Sequence, residues 1–216
     1  LILHAEHGGG NNSSLTVHVV SSADTDTYSA IGAAVGSLKG YRHGGANIRV
    51  IEMMDDIKAH VRDWSSEKEV KEYLRKIANK EAFDHTGLIY GLGHAIYTIN
   101  DPRATILRDH AAKLAKEKGL EDEYNLYKLI ERLGPEVIYE KHGDEKKICV
   151  NVDFYSGFIY TMLNIPRELF TPLFAVSRIA GWSAHRIEEI VAGGRIYRPA
   201  YKNILAERNY IPIEKR

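Results

Sequence analysis

The chain has 216 residues, 44% hydrophobic and 27% charged, and 29 basic residues balance 29 acidic ones to a formal net charge of zero. These proportions are ordinary for a globular protein of one or two domains, and a neutral balance gives no electrostatic pull toward nucleic acid or an acidic membrane. No apolar run approaches the roughly 18 residues of a membrane span, no signal-peptide pattern opens the chain, and the single cysteine, Cys149, fits a reducing compartment, so a cytoplasmic location is expected.

Helical patterns dominate in chain order. Leu1-Ile-Leu-His4 opens without a start methionine or a cap, as if inside an ongoing helix. His4 and His7 then fall three apart on one helical face, ahead of the Gly8-Gly9-Gly10 run that ends it. A helix is predicted from Asp26 to Leu38, capped by Asp24 or Asp26 and stopped by Gly40. Gly32, Ala33 and Gly36 share one of its faces, which suits a packed or dimeric seam. Asn47 to Asp63 places Ile48, Ile51, Met54 and Val61 near helical spacing. Ser65-Ser66-Glu67-Lys68-Glu69 reads as a capping box for a helix reaching about Ala78. The charged run from Lys68 to Glu81 reads as a solvated face. Pro102 to Lys118 is amphipathic and ends at Gly119. Glu121 to His142 is helical with a break or kink expected at Gly134-Pro135. Val150 to Leu163 and Thr171 to Ala192 are apolar helices. Leu15-Thr-Val-His-Val-Val20 and Lys147-Ile-Cys-Val-Asn-Val152 carry strand propensity, a weak prior against tertiary context.

The residues that carry chemistry lie at the joints of this pattern. Gly91-Leu-Gly-His94 holds an imidazole in a glycine-flanked turn, and Asp101-Pro102-Arg103 opens the next helix. A proton-donating ring beside a guanidinium fork suits a small carboxylate-bearing molecule with a carbonyl. His43-Gly-Gly-Ala-Asn47 is a second histidine on a glycine turn. Asp153 sits in Asn151-Val-Asp-Phe-Tyr-Ser-Gly157, where an apolar setting would raise its pKa toward that of a general base; used as a helix cap, it would be lowered instead. Arg178 lies in Phe174-Ala-Val-Ser-Arg-Ile-Ala-Gly-Trp182, and an enclosed arginine calls for an anion, from a ligand or from a structural ion pair. Arg198-Pro199 follows a Gly193-Gly194 break.

Other functional classes fit less well. Gly91-Leu-Gly lacks the third glycine and the preceding strand of a dinucleotide fold. A metal-dependent hydrolase would recruit His4, His7, His43 and Asp153, but no metal-ligand cluster has recognisable spacing and no metal is assigned. A non-catalytic helical dimer module is a third class. His18, His60, His85, His110, His142 and His185 belong to no motif and receive no catalytic role.

Taken together, His-Ala-Glu-His-Gly, His-Gly-Gly-Ala-Asn, Gly-Leu-Gly-His-Ala with Asp-Pro-Arg, Asn-Val-Asp, Ser-Arg-Ile-Ala-Gly-Trp and Arg-Pro occur in the order and at the separations of the citrate synthase family. The sequence resembles that family from Leu1 to its last residues. The resemblance implies an all-α fold of two helical domains with the site in their cleft. Residues 1–45 and 165–216 would belong to the large domain and 46–164 to the small one, with the N-terminal part of the large domain missing. On the same basis the two strand-prone segments are assigned to helix, apart from a short extended piece near Ile148.

The resemblance also implies the roles. His43 would hydrogen-bond the thioester carbonyl of acetyl-CoA, Asp153 would remove its methyl proton, and His94 would polarise the ketone of oxaloacetate. His7, Arg103 and Arg178 would hold oxaloacetate, joined by Arg198 from the neighbouring subunit of a homodimer. Acetyl-CoA enters as a substrate and no cofactor is implied. The rival substrate is propionyl-CoA, as in 2-methylcitrate synthase, since one methylene changes discrimination by only ~1–3 kcal/mol. Two positions depart from the family pattern: Thr98 stands where Lys or Arg often meets a CoA phosphate, and Ala95 where many relatives carry Arg. Complete members are much longer, so the chain reads as a C-terminal portion that is inactive alone and buries apolar surface by self-association.

Overall fold

The computed structural model describes residues 1–6, 8–94, 96–143, 147–200, 202 and 204–216. His7 and Ala95, both singled out above, lie outside the described residues. The helices are α1 (Asn12–Ser21), α2 (Thr27–Lys39), α3 (Ala46–His60), α4 (Glu67–Ala78), α5 (Pro102–Lys118), α6 (Glu121–His142), α7 (Val152–Met162) and α8 (Phe170–Ala192). No strand forms among the described residues; one antiparallel bridge pairs Leu92 with Val150.

The helix ends follow local chemistry. Asn11, Asp26, Ser66, Asp101 and Asn151 each accept a backbone N–H of the turn they open, satisfying donors that a helix leaves orphaned at its N-terminus. Gly119, Gly143 and Gly193 end α5, α6 and α8 in the left-handed region. Glu69 departs from the capping-box pattern. Its carboxylate accepts from the backbone N–H groups of Arg62 and Asp63, tying down the turn before α4.

Two apolar clusters build the molecule. The larger joins α3, α4, α5, α6 and α7, with Met53, Ile57, Leu74, Ile77, Tyr127 and Phe158 among its fully buried side chains. The smaller closes α1, α2 and α8 around Val17, Ala34, Leu38 and Trp182. Ile51, Tyr160 and Phe170 form a third contact between α3, α7 and the start of α8. On the small-residue face of α2, a Cβ at Gly32 or Gly36 would meet nothing within 4 Å among the described residues. On α8, Val176, Ile179, Ile187, Ile190 and Val191 are exposed.

Two expectations are corrected. The opening is no ongoing helix but a single 3-10 turn, Ile2–His4; the pairing of His4 with His7 lies outside the described residues. The His4 carbonyl accepts a 2.6 Å hydrogen bond from Arg178 Nε instead of extending a helix. The expected break at Gly134-Pro135 is also absent, because α6 runs through both residues. A proline inside a helix costs roughly 3 kcal/mol. Here that cost is offset by the buried stripe Leu126, Tyr127, Ile130, Leu133 and Val137 and by ion pairs from α4, Lys71–Glu136 at 2.6 Å and Arg75–Glu140 at 2.8 Å. Gly134 has its own reason, since a Cβ there would collide with Leu92.

The strand-prone residues divide as expected. Leu15–Val20 lies within α1, whereas residues 147–150 are extended. Gly93 N–H donates to the Cys149 carbonyl at 2.8 Å, Asn151 N–H to the Gly91 carbonyl at 2.9 Å, and Asn151 Nδ2 to the Gly93 carbonyl at 3.0 Å. This short pairing pins the loop carrying His94 to the first turn of α7. Gly91 makes it fit: φ is +83°, and a Cβ would stand 2.6 Å from the Phe154 ring. Gly91→Ala is therefore expected to lower stability by at least ~1 kcal/mol. A thermal or urea midpoint equal to that of the parent chain would refute this account of the turn.

Candidate active site

His43, His94, Arg103 and Asp153 line one cavity of about 100 Å³, together with Asn11, Asn47 and Asn151 and the apolar side chains of Leu38, Phe170 and Phe174. Its walls come from the N-terminus of α1, the α2–α3 turn, the loop before α5, the N-terminus of α7 and the first turns of α8. Four residues far apart in sequence thus meet where both apolar clusters end.

His94 is held as a hydrogen-bond donor. Its Nδ1 accepts from the backbone N–H groups of Ile96 at 3.0 Å and Tyr97 at 3.2 Å, so the neutral ring carries its proton on Nε2. Burial, and then the nearby Arg103 charge, lower its pKa and keep the ring neutral. Arg103 Nη2 stands 3.5 Å from that Nε2. Both are donors and cannot satisfy each other, so an acceptor oxygen placed between them would satisfy both. Arg103 is itself fixed by Asp101, the fully buried cap of α5, through Nε to Oδ1 at 3.0 Å and Nη2 to Oδ2 at 2.8 Å. Burial pushes the Asp101 carboxyl up, but the hydrogen bonds and charge of Arg103 outweigh it and hold the pKa below the usual value.

His43 sits in the turn Gly40–Gly45, where its N–H and that of Gly44 both donate to the Gly40 carbonyl. Burial, then Arg178, lowers its pKa. Its Nε2 lies 3.0 Å from Ser13 Oγ, which also accepts from Trp182 Nε1 at 3.1 Å and lies 2.8 Å from Asn11 Oδ1. The Ser13 hydroxyl has one proton to give. Given to His43 Nε2, it leaves Nδ1 protonated and able to donate; given to Asn11, it leaves Nδ1 a lone pair. Ser13 thereby sets the tautomer of His43, a link no motif announces.

Asp153 is not a cap. Asn151 Oδ1 caps α7 by accepting from Asp153 N–H at 3.0 Å, and among the described residues none donates to the Asp153 carboxylate. Burial raises its pKa to about 6, with the Arg103 charge acting the other way. The carboxylate is thus a base near neutrality that no donor among the described residues restrains.

Arg178 is fully buried behind this cavity. Its Nε donates to the His4 carbonyl and its guanidinium carbon stacks 4.6 Å over the Phe174 ring. Nη1 and Nη2 are buried without a hydrogen-bond partner among the described residues. Burial lowers its pKa to about 10, the Glu6 charge opposing, which leaves it a cation at any physiological pH. A buried, under-bonded guanidinium is a strong anion site. His4 supports it without lining the cavity: burial lowers the His4 pKa to about 3 and its ring packs on Phe174. Among the described residues His4, His43 and Asp153 do not form a group that could hold one metal ion; the fourth member of that set, His7, lies outside them.

Arg198 is not brought to this cavity; it lies exposed on the segment after α8. Thr98 is exposed on the His94 loop. Asn11, Asn47, Phe170, Thr171 and Phe174 enter as lining residues that sequence reasoning gave no role. Asn47, next to the His43 turn, was the most accessible of these, being quoted in a motif yet left without a function.

The chain as a whole is similar to known proteins. A sequence profile of the citrate synthase C-terminal domain matches residues 1–200. The citrate synthase of Synechocystis sp. is 39% identical over 219 residues, covering 100% of this chain and 50% of that protein. The 2-methylcitrate synthase of Shewanella oneidensis is 36% identical over 217 residues, covering 100% and 52%. Among solved structures, the citrate synthase of Thermoplasma acidophilum in ternary complex with carboxymethyl coenzyme A and oxaloacetate superposes with a TM-score of 0.78 at 30% identity, covering 99% of this chain and 53% of that one. The chain spans about half the length of the relatives it matches.

Proposed function

The chain belongs to the citrate synthase family, and on that premise we propose that its cavity is the condensing site for acetyl-CoA and oxaloacetate. The observation that carries this reading is Asp153, a carboxyl raised to about 6 by burial and facing the same cavity as two imidazoles of lowered pKa. Asp153 takes a proton from the acetyl methyl group while His43 donates to the oxygen of the developing enolate. The enol carbon attacks the ketone carbon of oxaloacetate, whose oxygen occupies the point shared by His94 Nε2–H and Arg103. Arg178, Arg103 and His7 hold the carboxylates, as planar, permanently charged forks do best. The citryl thioester formed is then cleaved by water, the C–S bond breaking to give citrate and the CoA thiol. A donor aimed at an enolate oxygen contributes on the order of 3 kcal/mol in comparable sites, which a base of pKa near 6 needs in order to reach a thioester methyl.

The site would lie in the cleft between the 46–164 lobe and the flanking segments 1–45 and 165–216, a division that the separate apolar clusters support. The test is release of CoA thiol from acetyl-CoA and from propionyl-CoA, each with oxaloacetate, by the intact protein. Faster release with acetyl-CoA is expected. Preference for propionyl-CoA would reassign the protein to the 2-methylcitrate reaction, and release from neither would refute the reading.

Arg198 is proposed to act across a two-fold interface, on the site of a second copy. Its exposure away from its own cavity supports this. Mixing Arg198→Ala chains with Asp153→Ala chains under subunit exchange is expected to restore part of the activity, because half of the sites in a heterodimer regain both residues. No recovery would return Arg198 to its own chain.

A further inference from the structure

His18 on α1 and His185 and Glu188 on α8 meet outside the proposed active site, whose lining includes none of them. They face a separate pocket, whose lining includes Gly9, Leu15, Glu189 and Tyr197. Nothing in the reaction proposed above uses them. Their ring orientations are fixed by carboxylates on the outer side. His18 Nδ1 lies 2.8 Å from Glu189 Oε2, an oxygen that also accepts from Tyr197 OH at 2.9 Å. His185 Nε2 lies 2.9 Å from Glu6 Oε2. A carboxylate can only accept, so His18 Nδ1 carries the ring proton and His18 Nε2 turns a lone pair the other way, while His185 bonds a carboxylate through Nδ1, which donates to Glu188 Oε2.

The His18 lone pair faces His185 Nδ1 and Glu188. His18 Nε2 and His185 Nδ1 are 3.1 Å apart, and Glu188 Oε2 is 3.4 Å from His185 Nδ1 and 3.9 Å from His18 Nε2. A proton on His185 Nδ1 can bridge them; a metal ion that displaces it would meet three donor atoms within 4.8 Å of one another. A tetrahedral zinc ion, with bonds of about 2.0–2.1 Å to nitrogen and oxygen, spaces its donors about 3.3 Å apart. The observed separations bracket that figure, and the longest involves Glu188, an exposed side chain free to close. Two imidazoles and a carboxylate form a donor set that zinc uses, and imidazole favours zinc-like transition metals over calcium or magnesium. Glu189 stands where an outer-shell carboxylate orients a metal-bound histidine.

We propose that His18, His185 and Glu188 bind a divalent transition metal of the Zn²⁺ class, the fourth position facing the pocket and open to water. The ion would tie α1 to α8. Sequence reasoning assigned no metal, because His18 and His185 are 167 residues apart and their meeting is tertiary.

The test is Zn²⁺ titration of the chelator-stripped intact protein against a competing indicator, with the visible spectrum of the Co²⁺-loaded form as a second readout. One ion per chain and a tetrahedral Co²⁺ spectrum are expected. Glu188→Gln removes an exposed ligand that the fold does not need and is expected to weaken binding at least 10-fold with unchanged circular dichroism. Glu189→Gln is expected to weaken it about 10–100-fold through the ring it orients. His185→Gln is expected to abolish the Co²⁺ spectrum. A stripped protein that takes up no Zn²⁺ would overturn the proposal and leave a shared proton as the occupant. Uptake unchanged in both Glu188→Gln and His185→Gln would overturn it as adventitious binding. Neither result bears on the condensing site, whose residues are all different.

Discussion

Asp153→Ala is expected to lower turnover by about 10²–10⁴-fold, the range for loss of a positioned general base, while oxaloacetate affinity changes little. The carboxylate reaches the cavity without a hydrogen-bond donor among the described residues, so its removal disturbs no other group's bonding. Oxaloacetate contacts belong to His94, Arg103 and Arg178 in the proposed mechanism. Turnover by single-cycle CoA release and binding of oxaloacetate by calorimetry separate the two effects. Near-normal turnover would remove Asp153 from the mechanism, and a parallel loss of oxaloacetate binding would make it a binding residue.

The same carboxyl links activity to stability in opposite directions. Its folded pKa of about 6 lies above the ordinary value of 3.8. The folded state therefore holds the proton more tightly than the unfolded chain, and stability is lost as pH rises from about 4 through 6. By linkage the deprotonated site costs roughly 3 kcal/mol above that window. Activity needs the deprotonated form and should rise over the same interval. Asp153→Asn is accordingly expected to raise the unfolding midpoint at pH 8 more than at pH 4. A midpoint gain that is the same at both pH values would mean that the carboxyl is not desolvated.

How much of this was legible depended on whether a residue's physics is local. Asp153 could be read because its apolar neighbours are adjacent in sequence, and Pro102 and Gly119 because helix ends are governed by a few residues. The site residues His43, His94, Arg103 and Asp153 could be gathered because each sits at an element's end, where motifs mark turns. Tertiary packing hid the rest. The α6 helix passes through Pro135 because α4 grips it with ion pairs 65 residues away in sequence. The opening turn stops at His4 because Arg178, 174 residues distant, takes its carbonyl. Ser13 sits in no motif, yet it holds the proton on which His43 depends.

Loss of His43 and loss of His94 are expected to cost about 10²–10³-fold each, as for single donors at developing oxyanions, but at different steps. The donor at the thioester is His43, so His43→Ala should abolish proton–deuterium exchange from the acetyl methyl group in the presence of a non-reacting oxaloacetate analogue. The donor at the ketone is His94, whose Nε2–H is fixed by two backbone N–H groups on Nδ1. His94→Ala should therefore keep the exchange and lose condensation. Ser13→Ala supplies an intermediate case. It removes the hydroxyl that hydrogen-bonds His43 Nε2, and exchange should fall with binding intact. Equal loss of exchange in the His43 and His94 variants would mean that both rings serve one carbonyl, and the proposed division of labour would be wrong.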